Sequence, residues 1–132
     1  MYFLGKPEIK SVIFHFFTIM FLFFSLINIF VIFNPELSQI VKDKEIGKLD
    51  KYAFHFLYLQ LSSFFLSGVI LAFIRRNKNY INGIIAVVLS LTPAILTAFN
   101  YFTIIILFAS VLIISFGTWL GYSLRPPKED KQ

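Results

Sequence analysis

The chain has 132 residues, 58% of them apolar and only 14% charged, with a mean hydropathy of +0.78. A soluble domain keeps roughly a quarter of its residues charged to cover its surface, so water is excluded as the main solvent and a bilayer is implied. The chain has no cysteine, which removes disulfides, thiolate metal sites and cysteine nucleophiles. Its formal charge of +5 is spread over the ends of apolar runs, an arrangement that argues against nucleic acid as a partner.

Crossing ~30 Å of hydrocarbon at 1.5 Å per helical residue takes about 20 apolar residues. Four segments meet or approach that length: 11–33, 52–74, 83–99 and 103–124. Strand alternation is absent, and in lipid a helix satisfies its own backbone. The expected fold is therefore an all-α integral membrane protein of four transmembrane helices, a single membrane domain over residues 1–132. The first segment follows Lys6 and Lys10 as a signal peptide would, but it is too long for one and no small-x-small cleavage site precedes Asn34-Pro35. It reads as a retained span.

Between the first two spans, Asn34 is placed as an N-cap and Pro35 at the first helical position, with Leu37, Ile40 and Val41 on one face and Gly47 as a stop. These signals predict a short interfacial helix over about residues 35–46. The third span carries Pro93, which removes an N–H and clashes with the preceding turn; Ser90, Thr92 and Thr97 are expected to supply hydroxyls to the freed carbonyls. A reversal at Phe99-Asn100-Tyr101-Phe102 makes the last two spans a tight hairpin, and Arg125-Pro126-Pro127 ends the fourth.

Eight basic residues fall on one side of this map: Lys6, Lys10, Arg75, Arg76, Lys78, Arg125, Lys128 and Lys131. The other side holds Lys42, Lys44, Lys48 and Lys51, offset by Glu36, Asp43, Glu45 and Asp50. The excess predicts a cytoplasmic N-terminus and C-terminus, in what is expected to be the cell membrane. Tyr52, Tyr101, Trp119 and Tyr122 lie near span ends, where amphipathic rings favour the headgroup layer.

No Asp, Glu, Lys or Arg falls inside a predicted span, which disfavours ion-coupled carriers and proton relays. His15 and His55 are the candidates for cofactor binding, since membrane histidines can ligate haem. They belong to opposite ends of the predicted spans, however, so one metal cannot join them, and each reads as an interfacial histidine. No cofactor and no metal is predicted. Asn28 and Gln60 are expected to hydrogen-bond each other or to touch a substrate. No phosphate loop, Ser-His-Asp set, carboxylate pair or zinc motif is present, so no catalytic residue is assigned.

The most specific pattern is a stripe of small residues in the third span, Ala86, Ser90, Ala94 and Ala98. The fourth span offers Gly117 and Gly121, and the second Ser63 and Ser67 beside Gly68. In lipid there is no hydrophobic drive between helices, so small residues that let backbones approach are helix-packing positions. The 18 phenylalanines include eight in the first span distributed around its whole circumference, a surface suited to lipid or to other membrane subunits. The expected function is a noncatalytic accessory or assembly subunit of a larger membrane protein complex. The alternative is a small homo-oligomeric transporter, channel or lipid-handling protein; an enzyme is not expected.

Overall fold

The computed structural model describes residues 7–75 and 79–124. It is an all-α four-helix membrane protein: α1 (Ile9–Ile32), α3 (Ala53–Arg75), α4 (Tyr80–Thr97) and α5 (Tyr101–Leu124) are each long and apolar enough to cross a bilayer. A short α2 (Pro35–Lys42) and a 3₁₀ segment (Ile46–Tyr52) join α1 to α3. Lys6, Arg76, Lys78, Arg125, Lys128 and Lys131, which carry much of the expected charge asymmetry, lie outside the described residues, as do Pro126 and Pro127.

The helices run alternately up and down, with α3 packed most closely on α5, and α1 on α3 and α4. Their beginnings and ends define two halves. The terminal half contains the start of α1, the end of α3, the start of α4 and the end of α5. Two hydrogen bonds fix this arrangement: Glu8 N–H donates to Asn82 Oδ1 at 2.8 Å, and the Arg75 guanidinium donates to Ser11 Oγ. The opposite, loop half contains α2 and the turn between α4 and α5.

The core lies in the terminal half. Ile19, Phe64, Ala86, Val87 and Ile114 bring one or two side chains from each helix into a single cluster. Because lipid tails are as apolar as these residues, their association rests on van der Waals contact and shape. The closest backbone approach is between α3 and α5. A Cβ built on Gly68 would stand 2.6 Å from the carbonyl oxygen of Ile114, and one on Gly117 or Gly121 would meet the carbonyl of Phe65 or Val69 more closely still. Gly117 and Gly121 therefore face α3; they do not answer the small-residue stripe of α4 directly.

A second small core sits at the loop end of α1 and α3. Leu37, Ile40 and Tyr52 are buried against Phe30, Val31, Leu49 and Phe56. Asn34 caps α2 by accepting from Leu37 N–H at 3.0 Å, with Pro35 at the first helical position. The helix stops at Lys42, earlier than Gly47 suggested. Lys44 adopts φ 58°, and the N–H groups of Lys44 and Glu45 reach back to Val41 and Ile40 carbonyls, a Schellman ending with lysine where glycine is the commoner choice.

The third span begins at Tyr80 and ends at Thr97, so Phe99 stands outside it. Pro93 lies within the helix, but the expected hydroxyl compensation goes elsewhere. Ser90 donates to Ala86 O, Thr92 to Val88 O, and Thr97 to Pro93 O and Ala94 O. None reaches Leu89 O, the carbonyl four residues before the proline. At the reversal, Asn100 and Thr103 cap each other: Thr103 N–H donates to Asn100 Oδ1 at 3.0 Å and Asn100 N–H to Thr103 Oγ1 at 2.8 Å.

Candidate functional site

Two features stand out beyond the packing. The first is a layer of buried polar residues in the terminal half: Ser11, His15, Ser63, Ser67, Asn82, Ser110 and Thr118. On α1, Ser11, His15 and Ile19 are spaced by four, so one face carries all the buried residues of that helix. His15 Nδ1 lies 3.4 Å from Ser67 Oγ, and the imidazole fills the space beside Gly83, where a Cβ would come 3.4 Å from His15 Cε1. His15 is therefore enclosed by α1, α3 and α4 at 7% exposure.

Most remaining hydroxyls of the layer are satisfied within their own helices. Ser63 donates to Gln60 O, Ser110 to Ile106 O and Thr118 to Ile114 O. Arg75, taken from the sequence for a loop residue, is the last residue of α3 and ties that end to Ser11. Asn82 went unnoticed in the sequence. Nothing in its local pattern marks it, because its partner, Glu8, is 74 residues away.

His55 occupies the opposite half. It is exposed, and its ring centroid lies 5.5 Å from that of Phe30 and 5.7 Å from that of Tyr52. The two histidines are not brought together. Asn28 is exposed on α1 and Gln60 half-buried on α3, and among the described residues no hydrogen bond joins them. Among the described residues, no group of three or more His, Asp or Glu side chains is placed to hold a metal ion.

The second feature is the openness of the loop half. Residues 20–32 of α1, 53–62 of α3, 88–97 of α4 and 101–109 of α5 include no buried residue. The small-residue stripe shows the division within one helix: Ala86 is fully buried and Ser90 half-buried, whereas Ala94 is exposed; Ala98, expected as the fourth member, is the exposed C-cap and leaves the helical backbone at φ -146°. Ser63, Ser67, Gly117 and Gly121 are all buried and belong to the packed half. An apolar groove of about 510 Å³ begins where the packing ends, between Tyr58, Leu61, Ser62, Phe65 and Leu66 of α3 and Ile113 of α5.

Fold and site together define a four-helix integral membrane protein whose spans bury side chains in one half only. No protein-family model matches the chain, and comparison with curated proteins and with solved structures likewise gives no match.

Proposed function

We propose that this protein is a noncatalytic accessory or assembly subunit of a larger membrane protein complex, whose neighbouring subunits pack against its loop half. The observation that carries the reading is the uneven burial of the helices. Backbone-close, small-residue contacts consolidate the terminal half, yet the continuation of the α4 stripe at Ala94 is left bare. Small residues facing lipid gain nothing from being small, whereas against another helix they permit close approach. Exposed Asn28 adds to this, since a carboxamide facing hydrocarbon lacks the hydrogen bonds that a neighbouring helix supplies.

In this reading both termini are cytoplasmic and the α2 loop is external, in the cell membrane. The charge excess around Lys10, Arg75 and the basic residues of the sequence beyond them supports that orientation. The test is gentle solubilisation of the native membrane followed by sizing and identification of co-purifying proteins. The expected result is a discrete assembly containing at least one other membrane protein. A species holding only this chain contradicts the proposal.

A second reading, a homo-oligomeric transporter, channel or lipid-handling protein, is favoured by the groove between α3 and α5 and by the proline-containing α4. A defined oligomer of this chain alone, moving solutes or labelled lipid in liposomes, supports it over the first.

A further inference from the structure

The α1–α4 side of the terminal half carries a groove of different character from that between α3 and α5. Two hollows, of about 350 and 300 Å³, share Val12, Ile13 and Leu89 and so form one channel along the surface. One end is lined by Pro7 and Glu8, the other by Phe16 and Phe17, and the walls between are aliphatic. From Glu8 to Phe17 the channel follows α1 for about 14 Å at 1.5 Å per residue, close to half of a ~30 Å hydrocarbon core. It therefore reaches from the headgroup boundary to the bilayer midplane, the depth of one leaflet and of one acyl chain.

The mouth is built. Buried Asn82 of α4, 2% exposed, accepts the Glu8 N–H at 2.8 Å and so fixes the chain where α1 enters the membrane. This holds Glu8 at the lip of the groove, with its side chain exposed. Among the described residues, no ammonium or guanidinium forms an ion pair with the Glu8 carboxylate. Glu8 is also the sole carboxylate of the terminal half among the described residues.

We propose that this groove is a binding site for an aminophospholipid with an ethanolamine headgroup. One acyl chain lies in the channel along Val12, Ile13 and Leu89. The primary ammonium donates to Glu8. An ethanolamine ammonium has N–H donors for the carboxylate, which a choline headgroup lacks, and a glycerol headgroup has no cation to offer. The site lies at the membrane boundary whichever way the protein is oriented, and it meets the loop half, where partner subunits are proposed to pack, only at Leu89.

The test is native mass spectrometry of the full chain with equimolar phosphatidylethanolamine, phosphatidylcholine and phosphatidylglycerol sharing the same acyl chains. The expected result is about threefold more ethanolamine lipid retained than either competitor, the scale of one exposed charge-assisted contact. Glu8→Gln, which keeps the backbone bond to Asn82, should level the three lipids. Leu89→Phe, at a half-exposed position, should reduce total lipid retained while leaving the preference intact. Equal retention of the three lipids by the unaltered protein, a preference for phosphatidylglycerol, or an ethanolamine preference that survives Glu8→Gln overturns the proposal.

Discussion

The two halves of the bundle are made of the same four apolar helices, yet the spans bury side chains in one half, whereas residues 20–32, 53–62, 88–97 and 101–109 in the other include none that is buried. In the terminal half, small residues stand opposite backbone: Gly68 against Ile114, Gly117 against Phe65, Gly121 against Val69. Bulky side chains point outward from the spans in both halves, as Phe17 at 64% exposure, Phe21 at 72% and Leu96 at 80% show. Since lipid removes the hydrophobic reason for these helices to associate, only close fit and hydrogen bonds distinguish the two halves. Packing follows small residues and buried polar groups; apolarity alone does not produce it.

The sharpest way to break this comparison is to add bulk at the tightest contact. Gly117→Val places a branched side chain on the Phe65 carbonyl and is expected to destabilise the α3–α5 pair by about 3 kcal/mol. A lowered unfolding temperature in detergent checks it. Next comes a matched pair within α4. Ala86→Leu, at a fully buried position, should cost about 1–3 kcal/mol, whereas Ala94→Leu, eight residues further along the same helix, should leave the isolated chain unchanged. If Ala94 meets another subunit in the membrane, the second variant should instead reduce recovery of the complex. Equal cost at both positions in the isolated chain means that the loop half is closed.

Smaller effects sharpen the picture. His15→Leu removes the side chain facing Ser67 while keeping most of its volume, and should cost about 1 kcal/mol, the usual scale of an interhelical hydrogen bond in a membrane; equilibrium unfolding in mixed micelles measures it. Lys44→Gly relieves a left-handed residue at the end of α2 and should stabilise that turn by about 0.5–1 kcal/mol. Slower amide hydrogen exchange around Ile40 and Val41, with exchange in α4 and α5 unaltered, is the expected signature.

The four spans, the α2 cap at Asn34-Pro35 and the reversal before Tyr101 were legible because length, a capping residue and proline act locally. What was not legible depends on other helices. In span one, Ser11 and His15 stand four residues apart among apolar neighbours, but a polar pair near a span end reads equally well as facing headgroups, and only the packing of α3 and α4 shows that this face is buried. The spacing of Gly117 and Gly121 pointed to a packing surface but not to α3 as the helix it meets. Likewise, the four-residue repeat of the α4 stripe is uniform in sequence, and only the packing of the bundle separates Ala86 from Ala94. Lys44 escaped notice since a lysine carries no signal for a left-handed turn.

The central claim, that the loop half is open in the chain alone and covered by another protein in its native membrane, is tested most directly by site-specific photocrosslinking from Ala94, with Ala86 as the enclosed control. The account predicts an adduct of discrete mass between position 94 and a different membrane protein, and from position 86 crosslinks only within the chain. Position 94 yielding lipid adducts alone, or adducts only with further copies of this chain, contradicts it.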